Sequence, residues 1–243
     1  MQLSKRLQAV ADLVTPGRRV ADVGCDHAYT SIYLVKNQIS PSSIAMDINQ
    51  GPIDRAKENI RKYNYSDQIE TRKSNGLEKL QIGEADTVLI AGMGGALMIQ
   101  ILSDRMDVLQ SVQELILQPQ SEIHKVRYFL QEQHFLITKE NMMKEDGKYY
   151  VMMKALPKIN VENKTPYVLS KEEHFHYGRL LLENKNQVLK EFLLWDLSLC
   201  EGIQNTLQNG QSENSIQRQK KIQDRINLIN LGLGYYEAAA EVE

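Results

Sequence analysis

The sequence predicts an α/β protein: a doubly wound, largely parallel sheet that ends in an antiparallel hairpin, followed by a smaller helical domain. Up to residue 156, short apolar runs alternate with amphipathic helical segments, which is the pattern of repeated strand-helix units. The dipeptide Asp146-Gly147 stands between two apolar runs, as in a β-hairpin. From residue 171 onward, glycine is scarce and apolar residues recur at helical spacing, which predicts helices.

Each element follows from a local pattern. Leu3, Leu7 and Val10 recur at helical spacing, which predicts a first helix that Pro16-Gly17 ends. Asp86–Ala91 is a continuous apolar run between an acid and a glycine, the pattern of a strand that is buried on both faces. The other predicted strands are Val20–Val23, Ser43–Ile48, Ile69–Lys73 and Glu114–Leu117, and the other predicted helices cover Ala28–Val35, the segment that Pro52 opens, and Ile123–Gln133.

The predicted hairpin pairs Phe135–Ile137 with Tyr149–Met153. Pro157–Ser170 contains two prolines and no periodicity, which predicts a linker. The sequence therefore predicts two domains, residues 1–157 and 158–243.

The second domain is predicted to be a helical hairpin. Its last segment has apolar residues that step by four, three and four, a spacing typical of one face of a helix. With the segment before it, this helix is predicted to form a short antiparallel coiled coil. The stepping residues are Ile222, Ile226, Ile229 and Leu233.

Composition excludes several classes of protein. The net charge of −2 gives no general excess of basic residues, so contact with a nucleic acid requires a local basic patch. Cys25 and Cys200 are the only cysteines, too few for a disulfide framework or a zinc site. His174 and His176 are two residues apart, which points them to different helix faces and predicts surface positions rather than a metal site.

Location follows from the same patterns. No run approaches the ~20 apolar residues that cross a bilayer, and the first residues lack the apolar core of a signal peptide. We expect a cytoplasmic protein with no membrane partner and no metal. The sequence leaves the oligomeric state open.

The segment after the first strand predicts a nucleotide-type cofactor. A dinucleotide fingerprint needs glycine at positions 24, 26 and 29, but the chain has Gly24, Asp26 and Tyr29. A carboxylate at position 26 would repel a pyrophosphate. S-adenosylmethionine instead carries a sulfonium and an ammonium, which Asp22 and Asp26 would attract. The alternative is that Asp26 caps the following helix.

Further candidates follow the other strands. Asp47 ends the second strand, at the distance from Gly24 that suits an acid binding ribose hydroxyls. Asn75, next to Gly76, follows the third strand and is positioned to read an adenine edge, although a plain Asn-Gly turn explains it equally well. Gly92, Gly94 and Gly95 surround Met93 after the fourth strand, which permits close approach of a ligand. Gln118 and Gln120 follow the fifth strand.

Taken together, these segments resemble a known family. In this order and spacing, they are similar to the bacterial TrmK-type tRNA (adenine-22, N1)-methyltransferases, with Ser31 as a departure where that family has proline. The resemblance covers the chain to about residue 156 and implies a class I methyltransferase (Rossmann-like) domain with a helical coiled-coil domain after it. The segments are DVGCDHAYTSIYL (22–34), AMDIN (45–49), SNGLEKL (74–80), IAGMGG (90–95) and LQPQ (117–120).

The resemblance implies S-adenosylmethionine as methyl donor and tRNA as acceptor. Asp26 and His27 are the implied catalytic residues nearest the target base, since a carboxylate there would stabilise the adenine ring as it becomes cationic. The predicted cofactor residues are Asp22, Gly24, Cys25, Asp26, His27, Asp47, Ile48, Asn75, Gly76, Gly92 and Met93.

Binding of tRNA needs cations, and two clusters are candidates. One precedes the first strand and the other lies in the last helix. They are Lys5, Arg6, Arg18 and Arg19, and Arg218, Lys220, Lys221 and Arg225. Two other functions stay open: methylation of a small molecule, and a non-catalytic tRNA-binding or assembly protein with a vestigial cofactor fold.

Overall fold

The protein, described by a computed structural model over residues 2–207 and 213–237, folds as two compact units, one ending at Val168 and one beginning at Leu169. Two short helical turns, Lys158–Asn160 and Thr165–Tyr167, close the first unit. Val161 is buried there. The predicted linker therefore continues the first unit, and the boundary predicted at residues 157 and 158 falls before its end.

The first unit contains a seven-stranded sheet in the order β3-β2-β1-β4-β5-β7-β6. β1 to β5 pair in parallel, and β7 runs antiparallel between β5 and β6. The predicted doubly wound sheet with a final antiparallel hairpin is confirmed. The strands are β1 (Val20–Val23), β2 (Ser43–Asp47), β3 (Ile69–Lys73), β4 (Thr87–Met93), β5 (Glu114–Pro119), β6 (Phe135–Glu145) and β7 (Lys148–Pro157).

Helices pack on the sheet through apolar stripes. Val10 and Val14 pack with Leu34, Leu89 and Ile116 in one buried cluster, which attaches the first helix to the sheet. Burying each such aliphatic side chain contributes roughly 1.5 to 3 kcal/mol. The helices of this unit are α1 (Lys5–Ala11), α2 (Tyr29–Lys36), α3 (Gln50–Lys62), α4 (Gly95–Ser103), α5 (Met106–Leu109) and α6 (Ile123–Glu132).

The sheet order reverses between β1 and β4, which makes their carboxyl ends the switch point of the fold. In doubly wound sheets, ligands bind in the crevice outside the carboxyl ends at this point. The β6–β7 hairpin extends past this edge, because Leu117 near the end of β5 pairs with Met153, while β6 and β7 continue pairing to Glu145 and Lys148.

The second unit is helical, as predicted. It has a π-helical turn at His174–Gly178, followed by α7 (Arg179–Glu183), α8 (Gln187–Leu207) and α9 (Glu213–Glu237). Helices α8 and α9 are antiparallel, because the end of α9 meets the start of α8 and the middle of α9 meets the end of α8. Gly232 lies against Leu193, and Nε2 of Gln204 donates a hydrogen bond to Oε1 of Gln223. The helical hairpin is confirmed, and the coiled-coil geometry stays a prediction.

One expectation for this unit was wrong. His174 is buried rather than on the surface, with Nε2 2.9 Å from the hydroxyl of Tyr235. Because His174 lies in a π-helical turn, the face it occupies does not follow from ordinary helical spacing.

Candidate functional site at the carboxyl edge of the sheet

The loop after β1 is held against β2 by its backbone. The N–H groups of Gly24 and Cys25 both donate to the carbonyl of Met46, at 2.8 and 2.9 Å. Gly24 has φ +75°, and a Cβ there would collide with the terminal methyl of Met93. The positive φ favours glycine at this position, and the missing side chain leaves room for the methionine methyl.

Two non-glycine residues of the same loop also have left-handed backbone conformations. Asp26 has φ 47° and Ala28 has φ 57°, which costs roughly 1 to 2 kcal/mol per residue. Strain of this kind concentrates at functional sites. Ala28 is the residue at the N-terminal cap of α2, and no side chain caps that position. Asp26 is thus not the helix cap, which removes that interpretation of its carboxylate.

Asp26 lies open on the edge of the sheet, with 69% of its side chain exposed. Its Oδ1 is 3.5 Å from Nε2 of His27 and 3.7 Å from Nη2 of Arg55. The imidazole of His27 stacks on the ring of Tyr29, with centroids 5.5 Å apart and planes 18° from parallel. A carboxylate and an aromatic pair therefore lie side by side. Asp26 and His27 are predicted site residues, whereas no sequence pattern assigns a role to Tyr29; its position at the start of α2, directly after this loop, is the signal that could have found it.

Two predicted cofactor residues of β1 and its loop are buried. Asp22 is 3% exposed, and its Oδ2 accepts a hydrogen bond of 2.8 Å from the hydroxyl of Ser31. Burial raises the pKa of Asp22 to about 6, against the lowering effect of hydrogen bonds from Ser31. Burial also raises the pKa of the Cys25 thiol well above its usual range, and the carboxylates of Asp22, Asp47 and Asp26 add to that rise. Both side chains are therefore largely covered, and their contact with the cofactor stays a prediction.

The end of β2 presents an acid and an apolar side chain. Asp47 Oδ1 accepts a hydrogen bond of 2.8 Å from the backbone N–H of Asn49, which forms the turn into α3. The next residue, Ile48, is 54% exposed although it is large and apolar. A polar and an apolar surface therefore adjoin at this strand end.

The end of β3 borders a cavity. Asn75 is exposed, whereas Gly76 is buried with φ +53°, and a Cβ on Gly76 would lie 2.9 Å from two carbons of Ile101. A cavity of about 220 Å³ lies between this loop and α4. It is lined by Asn75, Glu78, Leu97, Gln100, Ile101, Asp104 and Arg105. Of the two predicted residues, Asn75 lines this cavity, and Gly76 allows the close packing against Ile101.

The end of β4 contains a break in the ladder. The register with β5 shifts between Ala91 and Met93, and Gly92 between them has φ +84°. If Gly92 had a side chain, its Cβ would lie 3.6 Å from Nη1 of Arg6 and 3.7 Å from Nε2 of Gln120. Two hydrogen-bond donors therefore converge on the backbone at Gly92.

Arg6 is held at the edge by its neighbours. Its Nη1 donates a hydrogen bond of 2.6 Å to Oε1 of the buried Gln118, and its guanidinium carbon is 5.5 Å from the ring centre of Tyr150. The structure thus places the candidates Gln118 and Gln120 at this edge and adds Tyr150. The two glutamines are visible in the sequence as residues that follow β5, whereas no pattern in the sequence indicates Tyr150.

The first predicted cation cluster does not form a single patch. Arg18 and Arg19 precede β1 and therefore lie at the amino ends of the strands, opposite Arg6. Arg18 pairs with Glu114 at 2.8 Å, and Arg19 pairs with Asp86 at 2.9 Å. Their charges are compensated by carboxylates, which corrects the prediction that they act together with Lys5 and Arg6.

The second cluster is also divided. Arg225 donates two hydrogen bonds to the buried carboxylate of Asp196, at 3.0 and 2.6 Å. Arg218, Lys220 and Lys221 are exposed. Arg225 thus has an anionic partner within its own unit, and its contact with tRNA stays a prediction.

The described residues give two further findings. Across 2–207 and 213–237, no helix is long and apolar enough to cross a membrane. In the same ranges, no group of three or more His, Cys, Asp or Glu side chains is arranged to hold a metal ion.

Comparison with known proteins identifies the class that this fold and edge define. A methyltransferase-domain family model matches residues 3–153, which span the sheet and its carboxyl edge, so the chain is a methyltransferase-domain protein. A relative from Bacillus subtilis (strain 168), a tRNA (adenine(22)-N(1))-methyltransferase, is 34% identical over 230 residues, 94% of this chain and 96% of the relative. This chain belongs to the tRNA (adenine(22)-N(1))-methyltransferase family.

Two solved structures match this chain over almost its whole length. The crystal structure of the B. subtilis m1A22 tRNA methyltransferase TrmK matches with a TM-score of 0.86 and 33% identity, covering 96% of this chain and 99% of that one. The structure of M. capricolum TrmK in complex with S-adenosyl-homocysteine matches with a TM-score of 0.82 and 30% identity, covering 97% and 99%.

Proposed function

We propose that this protein transfers a methyl group from S-adenosylmethionine to N1 of adenine 22 in tRNA. The observation that carries the proposal is the carboxyl edge, where Gly24, Asp26, Asp47 and Gly92 meet at the switch point of the sheet. It is supported by the 34% identity over 94% of the chain with a tRNA (adenine(22)-N(1))-methyltransferase.

The residues at this edge fit the cofactor. Asp26 follows β1 and Asp47 ends the neighbouring strand β2, and two carboxylates there suit a ligand with a sulfonium and an ammonium. Ile48 and Leu97 are apolar yet 54% and 50% exposed, which suits the faces of an adenine, with Asn75 to read its edge. The cofactor supplies an electrophilic methyl group.

Donor and acceptor occupy different halves of the edge in this proposal. Asp47 and Asn75 follow β2 and β3, on one side of β1, whereas Arg6, Gln118 and Tyr150 lie at β5 and β7, on the other side. Asp26, after β1, lies between the two halves. The methyl group would then cross beside Asp26.

The residues after β1 have distinct tasks toward the target base. N1 lies on the pairing edge of adenine, so the nucleotide must leave its helix before reaction. The stacked pair of His27 and Tyr29 offers an aromatic surface for the unstacked base. As N1 forms its bond to carbon, the ring gains a positive charge, and the exposed carboxylate of Asp26 stabilises that charge.

The first unit provides the chemistry and the second unit holds the tRNA. Affinity for tRNA comes from cations that displace counterions, and the exposed ones that we assign to this task are Lys5, Arg218, Lys220 and Lys221, together with the partly buried Arg6. A tRNA substrate implies a cytoplasmic location.

The decisive experiment incubates the protein with labelled S-adenosylmethionine and an unmodified tRNA transcript, digests the RNA and identifies the methylated nucleoside. We expect 1-methyladenosine, and none with a transcript in which A22 is replaced by guanosine. Binding of tRNA without transfer would favour the non-catalytic alternative. Absence of both RNA binding and RNA methylation would favour a small-molecule substrate.

A further inference from the structure

The β6–β7 hairpin is attached to the start of the chain by one carboxylate. Glu145, the last residue of β6, accepts hydrogen bonds from the backbone N–H groups of Lys5 at 2.8 Å and Arg6 at 3.4 Å. The first N–H groups of a helix have no partner within it. The hydroxyl of Ser4 accepts the next one, from Leu7, at 3.2 Å. Glu145 therefore fixes the first turn of α1 to the hairpin.

The same hairpin supports the side chain of Arg6. Its guanidinium lies over Tyr150 of β7, and Tyr150 pairs with Met143 of β6. Nη1 of Arg6 donates a hydrogen bond to Oε1 of Gln118. The same nitrogen lies close to the backbone of Gly92, 3.6 Å from where a Cβ would be. Backbone and side chain of Arg6 are thus both set by elements at the carboxyl edge.

The charge of Arg6 has no compensating carboxylate. Among residues 2–207 and 213–237, no acidic side chain forms an ion pair with this partly buried guanidinium. Gln118 offers only a neutral amide oxygen. A partly desolvated guanidinium whose hydrogen-bond partner is a neutral amide gains more than an exposed one from an anionic ligand.

We propose that Glu145 is a positioning residue for Arg6, and that the guanidinium it places binds a backbone phosphate of the tRNA nucleotide that is methylated. The inference rests on the proposed function. An anion at this point has two sources, a tRNA phosphate and the carboxylate of the cofactor. The phosphate is favoured because Arg6 lies at β5 and β7, away from the β2 and β3 ends that suit the cofactor.

The test measures the dissociation constants of S-adenosylmethionine and tRNA, with steady-state methylation, for Arg6→Gln, Glu145→Ala, Glu145→Gln and the double variant Arg6→Gln/Glu145→Ala. We expect Arg6→Gln to weaken tRNA binding about tenfold and to reduce the salt slope by about one, the value for one phosphate contact. Glu145→Ala should raise the KM for tRNA with donor affinity unchanged, and Glu145→Gln, which keeps an acceptor oxygen, should restore most of the loss.

The double variant separates positioning from general stability. If Glu145 acts through Arg6, the double variant should be no worse than Arg6→Gln, since coupled residues are non-additive. Additive losses would show that Glu145 stabilises the fold independently and would overturn the proposal. Matched controls are Arg61→Gln and Glu132→Ala, both exposed and at the amino edge of the sheet, which should leave all constants unchanged.

The remaining outcomes are equally decisive. Weaker donor binding in Arg6→Gln with unchanged tRNA binding would assign the guanidinium to the cofactor carboxylate and overturn the proposal. Wild-type protein is assayed first. If it binds tRNA without methylating it, the proposed function fails, and the tRNA dissociation constants of the variants still decide whether Glu145 positions Arg6.

Discussion

The hydroxyl of Ser31 donates a hydrogen bond of 2.8 Å to the carboxylate of Asp22 and accepts one of 2.9 Å from Ser43. This buried chain joins α2 to β1 and β2. Ser31 is the position at which the resemblance to the TrmK-type family leads us to expect proline, and its hydroxyl has a structural role here. The carboxylate at the end of this chain is 3% exposed.

The first prediction concerns the pH dependence of stability. Because burial raises the pKa of Asp22 to about 6 from 3.8, the folded state binds this proton more tightly than the unfolded state. The free energy of unfolding should therefore fall as the pH rises from about 4 to about 6, by at most about 3 kcal/mol from this group. In Asp22→Asn the fall should be missing.

Urea unfolding at pH 4, 5, 6 and 7.5 measures the difference between the two proteins. The comparison is necessary because other acids act in the opposite direction: hydrogen bonds from Arg19 lower the pKa of Asp86. A difference that stays constant across this pH range would show that Asp22 titrates normally.

The second prediction concerns donor binding. Asp47→Ala should weaken S-adenosylmethionine by roughly 1.5 to 3 kcal/mol, the scale of hydrogen bonds to a charged group. Asp47→Asn keeps an acceptor for the N–H of Asn49, so it separates the turn from the charge. Calorimetry measures the affinity for S-adenosylmethionine. The control is Asp67→Ala, which removes an exposed acid and should leave the affinity unchanged. Unchanged affinity in both Asp47 variants would remove this residue from the donor site.

The third prediction concerns the chemical step. Asp26→Asn keeps the size of the side chain and deletes its charge. Because Asp26 is exposed beside His27 and Arg55, single-turnover methyl transfer should fall at least tenfold with little change in donor affinity, as for an interaction made in the transition state. Rapid-quench kinetics at saturating donor measure it. Loss of donor binding alone would reassign Asp26 to the cofactor.

Much of the carboxyl edge was predictable, because in a parallel sheet the residues that follow each strand meet at one edge. Apolar runs located β1, β2 and β4, so the sequence alone places Gly24, Asp47 and Gly92 together, and the strand order confirms it. The closeness of Gly24 to Met93 was not predictable, since it depends on how two loops pack.

The length of the β6–β7 hairpin and the contacts of Arg6 were not predictable, for a physical reason. β6 is the edge strand of the sheet and pairs only with β7, and its segment Thr138–Glu145 lacks the apolar alternation of a sheet interior. The apolar periodicity therefore predicts a strand that ends at Ile137, whereas β6 continues to Glu145. Arg6 reaches Gln118 across 112 residues, and nothing local indicates which edge a helix before β1 approaches.

The fourth prediction concerns the division of labour between the units. A chain ending at residue 168 retains the whole sheet and the buried Val161, so it should fold and bind S-adenosylmethionine with unchanged affinity while methylating tRNA poorly. Circular dichroism, calorimetry and the methylation assay test the three parts. Methylation at the full-length rate would give the second unit a role other than tRNA positioning.

The fifth prediction contrasts cations of one helix. Arg218, Lys220 and Lys221 are exposed in α9, whereas Arg225 bonds the buried carboxylate of Asp196. Each phosphate contact contributes about 0.9 to the slope of log K against log salt. Changing the three exposed cations to Gln should therefore lower the slope for tRNA binding by up to about 3.

The Arg225→Gln variant should behave differently. It leaves Asp196, which is 3% exposed, without its cation, and an uncompensated buried charge is destabilising. We expect a lower melting temperature and an unchanged salt slope, because the charge of Arg225 is already neutralised in the free protein. Filter binding over a range of roughly 50 to 300 mM salt measures the slope for both variants. A steep slope that survives the triple change would place the tRNA contacts of the second unit outside α9, and a shallower slope in Arg225→Gln would show that tRNA displaces Asp196 from this arginine.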